Sequence, residues 1–173
     1  VTLPTSWGNV TNTSSMFQYC YSLSNVTLPT SWGNVTNTSY MFQSCYSLRT
    51  INNLEYLGST TTDADFTNFL RDAEAITGTL TIASRLSKIG IYSTSSSAKL
   101  KCTGIRLTNA NSTFTGSSPQ VDVSYCSLDA TALNTLFGDL PTLSGKTIKI
   151  TGNPGASTCD TSIATSKGWT VTN

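Results

Sequence analysis

The chain has 173 residues, a formal net charge of +1 and only 11% charged side chains. That length supports one domain with a real core, and the near-neutral balance gives no electrostatic basis for binding nucleic acid or an anionic membrane. No apolar run approaches the ~18 residues of a membrane-spanning helix, and histidine, the commonest general base and metal ligand, is absent.

The first 50 residues are a tandem repeat. Val1 to Asn25 (VTLPTSWGNVTNTSSMFQYCYSLSN) is followed at once by a second copy that differs only at Ser15/Tyr40, Tyr19/Ser44, Ser24/Arg49 and Asn25/Thr50. A fixed 25-residue period marks units that bury their apolar edges by stacking on one another. Cys20, Leu23, Val26, Leu28 and Pro29 read C-x-x-L-x-x-V-x-L-P. This is the spacing of a leucine-rich repeat, with Val26 and Leu28 on one face of a short strand and Pro29 ending it. A turn is expected at Gly33 and Asn34, after which Val35, Met41 and Phe42 supply a second inward side. Stacking then sets Leu3 beside Leu28, Phe17 beside Phe42 and Cys20 beside Cys45 as ladders with a spacing of about 5 Å.

These motifs, with N-V-T-N and M-F-x-x-C-x-x-L in order over Val1 to about Ile51, resemble the BspA-like leucine-rich repeats of bacterial surface proteins and of phage and other virion proteins. Thr13 and Thr38 depart from the pattern, standing where many such repeats carry Met. The resemblance implies a leucine-rich-repeat solenoid: short parallel β-strands, loops and short helices on the convex side, and a C-terminal cap. It also implies attachment to a host or cell surface. Because the chain opens at a repeat boundary, it is expected to be the C-terminal part of a longer array.

Residues 52–119 are less regular. Phe66, Phe69, Leu70 and Ala73 fall at helical spacing and predict a helix over about 62–75, with Thr62 and Asp65 as a capping box. Thr79–Ile82 predicts a strand, Ser84–Lys88 a helical turn, Ser93–Ser97 a polar loop, and the stretch around Leu100, Ile105 and Leu107 one or two short strands. In residues 120–173 the repeat spacing returns, as Val121, Val123, Cys126 and Leu128. Asp129 is placed to cap a helix carrying Leu133, Leu136, Phe137 and Leu140, which Pro141 stops. Strands are expected at Lys146–Thr151 and Trp169–Thr172, with a short helix capped by Asp160 between them. This last stretch looks like the C-terminal cap of the same repeat proteins, closing the apolar end with Trp169, Ile163 and the helix around Leu136.

No constellation in the sequence supports catalysis, so no enzyme, cofactor or metal is expected. The five cysteines lack zinc-type spacing and read as small buried hydrophobes, Cys20 and Cys45 being the one pair placed near each other. The acid pairs Asp63/Asp65 and Asp72/Glu74 are the sole basis for a glycan-active hydrolase, the least favoured reading. Asn9, Asn12, Asn25, Asn34, Asn37 and Asn111 stand in N-x-S/T and are possible glycosylation acceptors.

The contact candidates are the in-phase aromatics Trp7 and Trp32, Tyr21 and Tyr46, together with Tyr19 and Tyr40, which face Ser in the other copy. They fit a platform for a protein or a cell-surface glycan. The expected role is a non-catalytic, extracellular surface or virion repeat protein that mediates adhesion. The alternative is a filament or lattice subunit built by self-association.

Overall fold

A computed structural model describes Val1, residues 3–32 and residues 34–173. The turn expected at Gly33 therefore lies outside the described residues. The elements are β1 (Asn25–Thr27), β2 (Thr50–Asn52), a 3-10 turn at Leu54–Tyr56, β3 (Ala64–Phe66), β4 (Thr77–Ile82), β5 (Leu86–Gly90) and β6 (Lys101–Leu107). They continue with β7 (Val121–Asp122), α1 (Ala130–Asp139), β8 (Lys146–Lys149), α2 (Ser162–Thr165) and β9 (Trp169–Thr172).

Every strand pair is parallel, in a five-stranded sheet of order β3-β5-β7-β8-β9 and two separate two-stranded sheets, β1-β2 and β4-β6. Between β3 and β7 the chain feeds the five-stranded sheet and the β4-β6 sheet alternately. This α/β arrangement overturns the expected leucine-rich-repeat solenoid, which needs one strand per unit in one continuous sheet with loops and short helices opposite. Among the described residues there are only two α-helices, both C-terminal to Leu128. The physical reason lies in how the strands pair. The strands expected at Thr79–Ile82 and around Leu100, Ile105 and Leu107 form as β4 and β6, largely alternating between buried and open positions, a pattern that pairs as sheet, but they pair only with each other and do not join the five-stranded sheet.

The helix expected over 62–75 does not form either. β3 occupies Ala64–Phe66, and a run of turns follows. Asn68 and Asp72 sit at φ 53° and 58°, outside the right-handed helical region. Phe69, Arg71 and Ala73 donate three residues back, to Phe66, Asn68 and Leu70, while the intervening amides of Leu70 and Asp72 donate to Gly90 and Tyr92 on the next strand of chain. Asp65 accepts from the Thr67 amide at 2.8 Å rather than completing a capping box, and the Thr62 amide goes to Ser59 Oγ. A chain of such turns buries residues at the same spacing of three and four as a helix, which is why the periodicity pointed the wrong way. The expected helical turn at Ser84–Lys88 is likewise replaced, by β5, whose Leu86 and Ile89 are buried.

The turn run is a third, diverged copy of the repeat. Asn37–Leu48 (NTSYMFQSCYSL) and Asp65–Ile76 (DFTNFLRDAEAI) share no identical residue, yet they agree position by position in role. Thr38, Met41, Phe42, Cys45 and Leu48 are buried, as are Phe66, Phe69, Leu70, Ala73 and Ile76. Tyr40 and Ser44 have positive φ, as do Asn68 and Asp72. Asn12, Asn37 and Asp65 each accept, through Oδ1, the amide two residues on, and Asp122 does the same for Ser124.

In the C-terminal part the expectations at α1 hold. Asp129 Oδ1 accepts from the Ala132 amide at 2.8 Å, and Leu133, Leu136 and Phe137 are buried. The carbonyls at the far end of α1, left open by helix geometry, accept from Lys167 Nζ at Phe137, Gly138 and Leu140. Arg106 holds Asp139 with Nε–Oδ2 at 2.6 Å and Nη2–Oδ1 at 2.9 Å. Trp169 is buried edge-on against Phe114 at 5.0 Å, and its Nε1 donates to the Pro141 carbonyl.

Asn153 ties β7 and β8 to the turns that follow them. Its Oδ1 accepts from the amides of Cys126 and Leu128, both at 3.0 Å, and its Nδ2 donates to the carbonyls of Val123 and Ile150, both at 2.8 Å. Asn153→Ala strands four backbone groups in the interior and is expected to cost about 3 kcal/mol or more, measured by urea unfolding. Asn153→Asp, which turns a donor toward two carbonyls into an acceptor, should fail to restore stability.

Candidate contact surface: an exposed tyrosine row

The turn run displays a tyrosine outward directly after each cysteine of the first two units. Tyr21 and Tyr46 follow Cys20 and Cys45 and are 54% and 48% exposed, while Cys45 and its neighbour Leu48 are buried. Their rings stack at 5.3 Å with only 7° between planes. Tyr19, 52% exposed, adds a tilted ring 6.2 Å from Tyr21. Between the same two units, Gln18 Nε2 donates to Gln43 Oε1 at 2.8 Å. An aromatic pair of this kind contributes roughly 0.5–1.5 kcal/mol beyond its burial, so the row is held in place before any partner arrives.

In the third copy the position of Tyr46 is taken by Glu74. Glu74 lines a cleft of about 280 Å³ together with Tyr46, Ala75, Ser97, Ala98, Lys99 and Lys101. Lys99 Nζ donates to the Gly152 carbonyl at 2.9 Å, whereas Lys101 is exposed. The row of hydroxyl-tipped rings thus runs into a polar cleft with one carboxylate and two ammonium groups. The residues alone place Glu74, paired with Asp72, within the helix expected over 62–75 and do not join it to Tyr46. The signal that joins them is the match of Asn37–Leu48 to Asp65–Ile76, which is visible only when roles rather than identities are compared.

The other contact candidates separate. Trp32 is 2% exposed and donates from Nε1 to the Pro29 carbonyl at 2.7 Å, so it offers no contact surface. Trp7 is half-buried and packs on Trp32 at 5.1 Å. Tyr40, expected to be exposed because Ser replaces it in the first copy, is half-buried. Ser15, Tyr19, Tyr40 and Ser44 all lie at φ 57–61°, so the first two differences between the copies fall at left-handed positions.

Of the expected ladder residues, Phe17 and Phe42 stack at 5.3 Å and 5°, Leu28 and Cys45 are buried, and Leu3 and Cys20 are half-buried against the core. All five cysteines are free thiols. Among the glycosylation candidates, Asn9, Asn12, Asn25, Asn34 and Asn111 are exposed and Asn37 is half-buried. Asn25 accepts from Thr50 Oγ1 at 2.6 Å, so this side chain, like those of Asn12 and Asn37, already holds the fold together.

The acids singled out in the sequence are largely engaged. Asp63 pairs with Arg85 at 2.7 Å and accepts from Thr113 Oγ1. Asp65 holds its turn, and Asp72 accepts from the Thr94 amide at 2.7 Å and Thr94 Oγ1 at 2.8 Å. Among the described residues no three His, Cys, Asp or Glu side chains come together in a metal-binding group, and no helix is long and apolar enough to cross a membrane.

Burial pushes the Cys45 thiol up to about 12 from its ordinary 9.0, against the lowering effect of a backbone hydrogen bond. The folded state therefore holds this proton more tightly than the unfolded chain does. The associated stability is complete below about 9 and is lost as pH rises toward 12. A thiol reagent at pH 8 is expected to spare Cys45, Cys102 and Cys126 in the folded chain and to modify all five cysteines in denaturant. Labelling read by peptide mass checks this, and rapid native modification of Cys45 contradicts it.

No family model matches the chain, and neither does any curated protein or solved structure.

Proposed function

We propose that the chain is a non-catalytic attachment module that works outside the cell, on a cell or virion surface, and holds a glycan through the row Tyr19, Tyr21 and Tyr46. The observation that carries this reading is the near-parallel Tyr21–Tyr46 stack, half in solvent and adjoining the Glu74 and Lys101 cleft. Rigid tyrosines lose little conformational freedom when covered, and each presents an apolar ring with a hydroxyl tip. Ser, Thr and Asn around them supply neutral hydrogen-bonding groups, as a polar, uncharged ligand requires. The resemblance of the repeat motif to bacterial surface and virion repeats supports the same location. The engagement of Asp63, Asp65 and Asp72 in structural hydrogen bonds favours attachment over hydrolysis.

The test is binding of the full chain to an array of immobilised glycans. Tyr21→Ala and Tyr46→Ala together should weaken any binding found by about 100-fold, from two contacts of roughly 1.4 kcal/mol each. Tyr56→Ala, at an exposed tyrosine outside the row, should leave it unchanged. Binding that survives loss of both row tyrosines removes the reading, as does an array on which nothing is retained.

A further inference from the structure

The first repeat unit is uncovered on one side. Leu3, Trp7, Val10, Phe17, Cys20 and Leu23 are half-buried, whereas their counterparts 25 residues on are all buried, none more than 2% exposed. A cleft of about 470 Å³ opens on this side between Val1, Phe17, Cys20 and Leu23. The backbone carries the same asymmetry. Amides of Thr13, Ser15, Phe17 and Tyr19 donate to carbonyls of Asn37, Ser39, Met41 and Gln43 at 2.8–3.0 Å. The matching carbonyls of the first unit, on Asn12, Ser14, Met16 and Gln18, accept from no group among the described residues. The Trp7 indole nitrogen is buried without a hydrogen-bond partner, unlike that of Trp32.

We propose that this face is a docking surface for a further polypeptide unit of the same sequence pattern, VTLPTSWGNVTNTS-x-MFQ-x-CYSL. The occupant follows from an interface already inside the molecule. The second unit has the same face, 21 of its 25 residues being identical, and that face is covered by a unit of this pattern presenting alternate amides. A row of carbonyls needs a row of donors, and the repeat sets its amides outward at the required spacing through its left-handed residues. The same segment of a second intact copy does not supply them. Its amides at Thr13–Tyr19 are already bonded internally, and two first units face to face would oppose carbonyl to carbonyl. The proposal is independent of the tyrosine row.

To test it, a duplicate of Val1–Asn25 with serine in place of its cysteine is joined ahead of Val1 of the full chain. An extension of the same residues in shuffled order is the control. The in-phase unit is expected to raise the thermal midpoint by several degrees over the control and to slow modification of Cys20 at least tenfold. Its amides equivalent to Thr13, Ser15, Phe17 and Tyr19 should become protected from hydrogen exchange. An in-phase unit with unprotected amides, and a midpoint and Cys20 reactivity equal to the control, overturns the proposal. Concentration-dependent assembly of the unextended chain that by itself protects Cys20 also overturns it, since the occupant would then be a second copy.

Discussion

The structure depends on a division of labour among the amides of the repeat. In the turn run, alternate N–H groups bond three residues back, as Met16, Gln18 and Cys20 do, and the ones between reach across to the next unit. Neither set suffices alone. A series of isolated turns has no reason to persist in water, and a bare edge of donors leaves half the backbone unpaired. Together they satisfy nearly every buried amide of a segment that is neither helix nor strand.

This backbone carries a conformational cost. Two residues per unit, Ser15 and Tyr19, Tyr40 and Ser44, Asn68 and Asp72, adopt the left-handed region without being glycine, at roughly 1–2 kcal/mol each. Cross-unit hydrogen bonds, each contributing about 1 kcal/mol net, and buried columns such as Phe17 on Phe42 offset it. The Oδ1 groups of Asn12, Asn37 and Asp65 set the turns locally, so each unit enters its stack already bent the right way. Asn153 performs a larger version of the same task near the other end of the molecule, serving four backbone groups with one amide side chain.

The tyrosine row is a by-product of that stacking. Side chains at the same phase of successive units are held about 5 Å apart, so whatever residue occupies the outward position becomes a column. In the first two units it is Tyr21 and Tyr46; in the third it is Glu74, and the column changes from aromatic to acidic where Lys101 is near. A contact surface of this kind is edited by single substitutions without disturbing the core, because Cys45, Leu48, Ala73 and Ile76 on either side point inward.

Much of this was legible in the residues. The near-identity of the two units specified which side chains stack, and Phe17/Phe42, Tyr21/Tyr46 and Trp7/Trp32 pair accordingly. Asp129 and Pro141 bounded α1 because capping and termination are local properties. Tertiary structure alone decided what local pattern leaves open. Burial at intervals of three and four fits a helix and a chain of turns equally; the choice at Phe66–Ile76 was made by the neighbouring carbonyls that capture alternate amides. Whether strands join one sheet or several depends on which edges meet, so β4 and β6 paired apart from the five-stranded sheet and the solenoid expectation failed. Exposure follows the same rule: Trp32 is buried and Trp7 half-open, with identical flanking sequence, solely because one has a unit on both sides and the other on one.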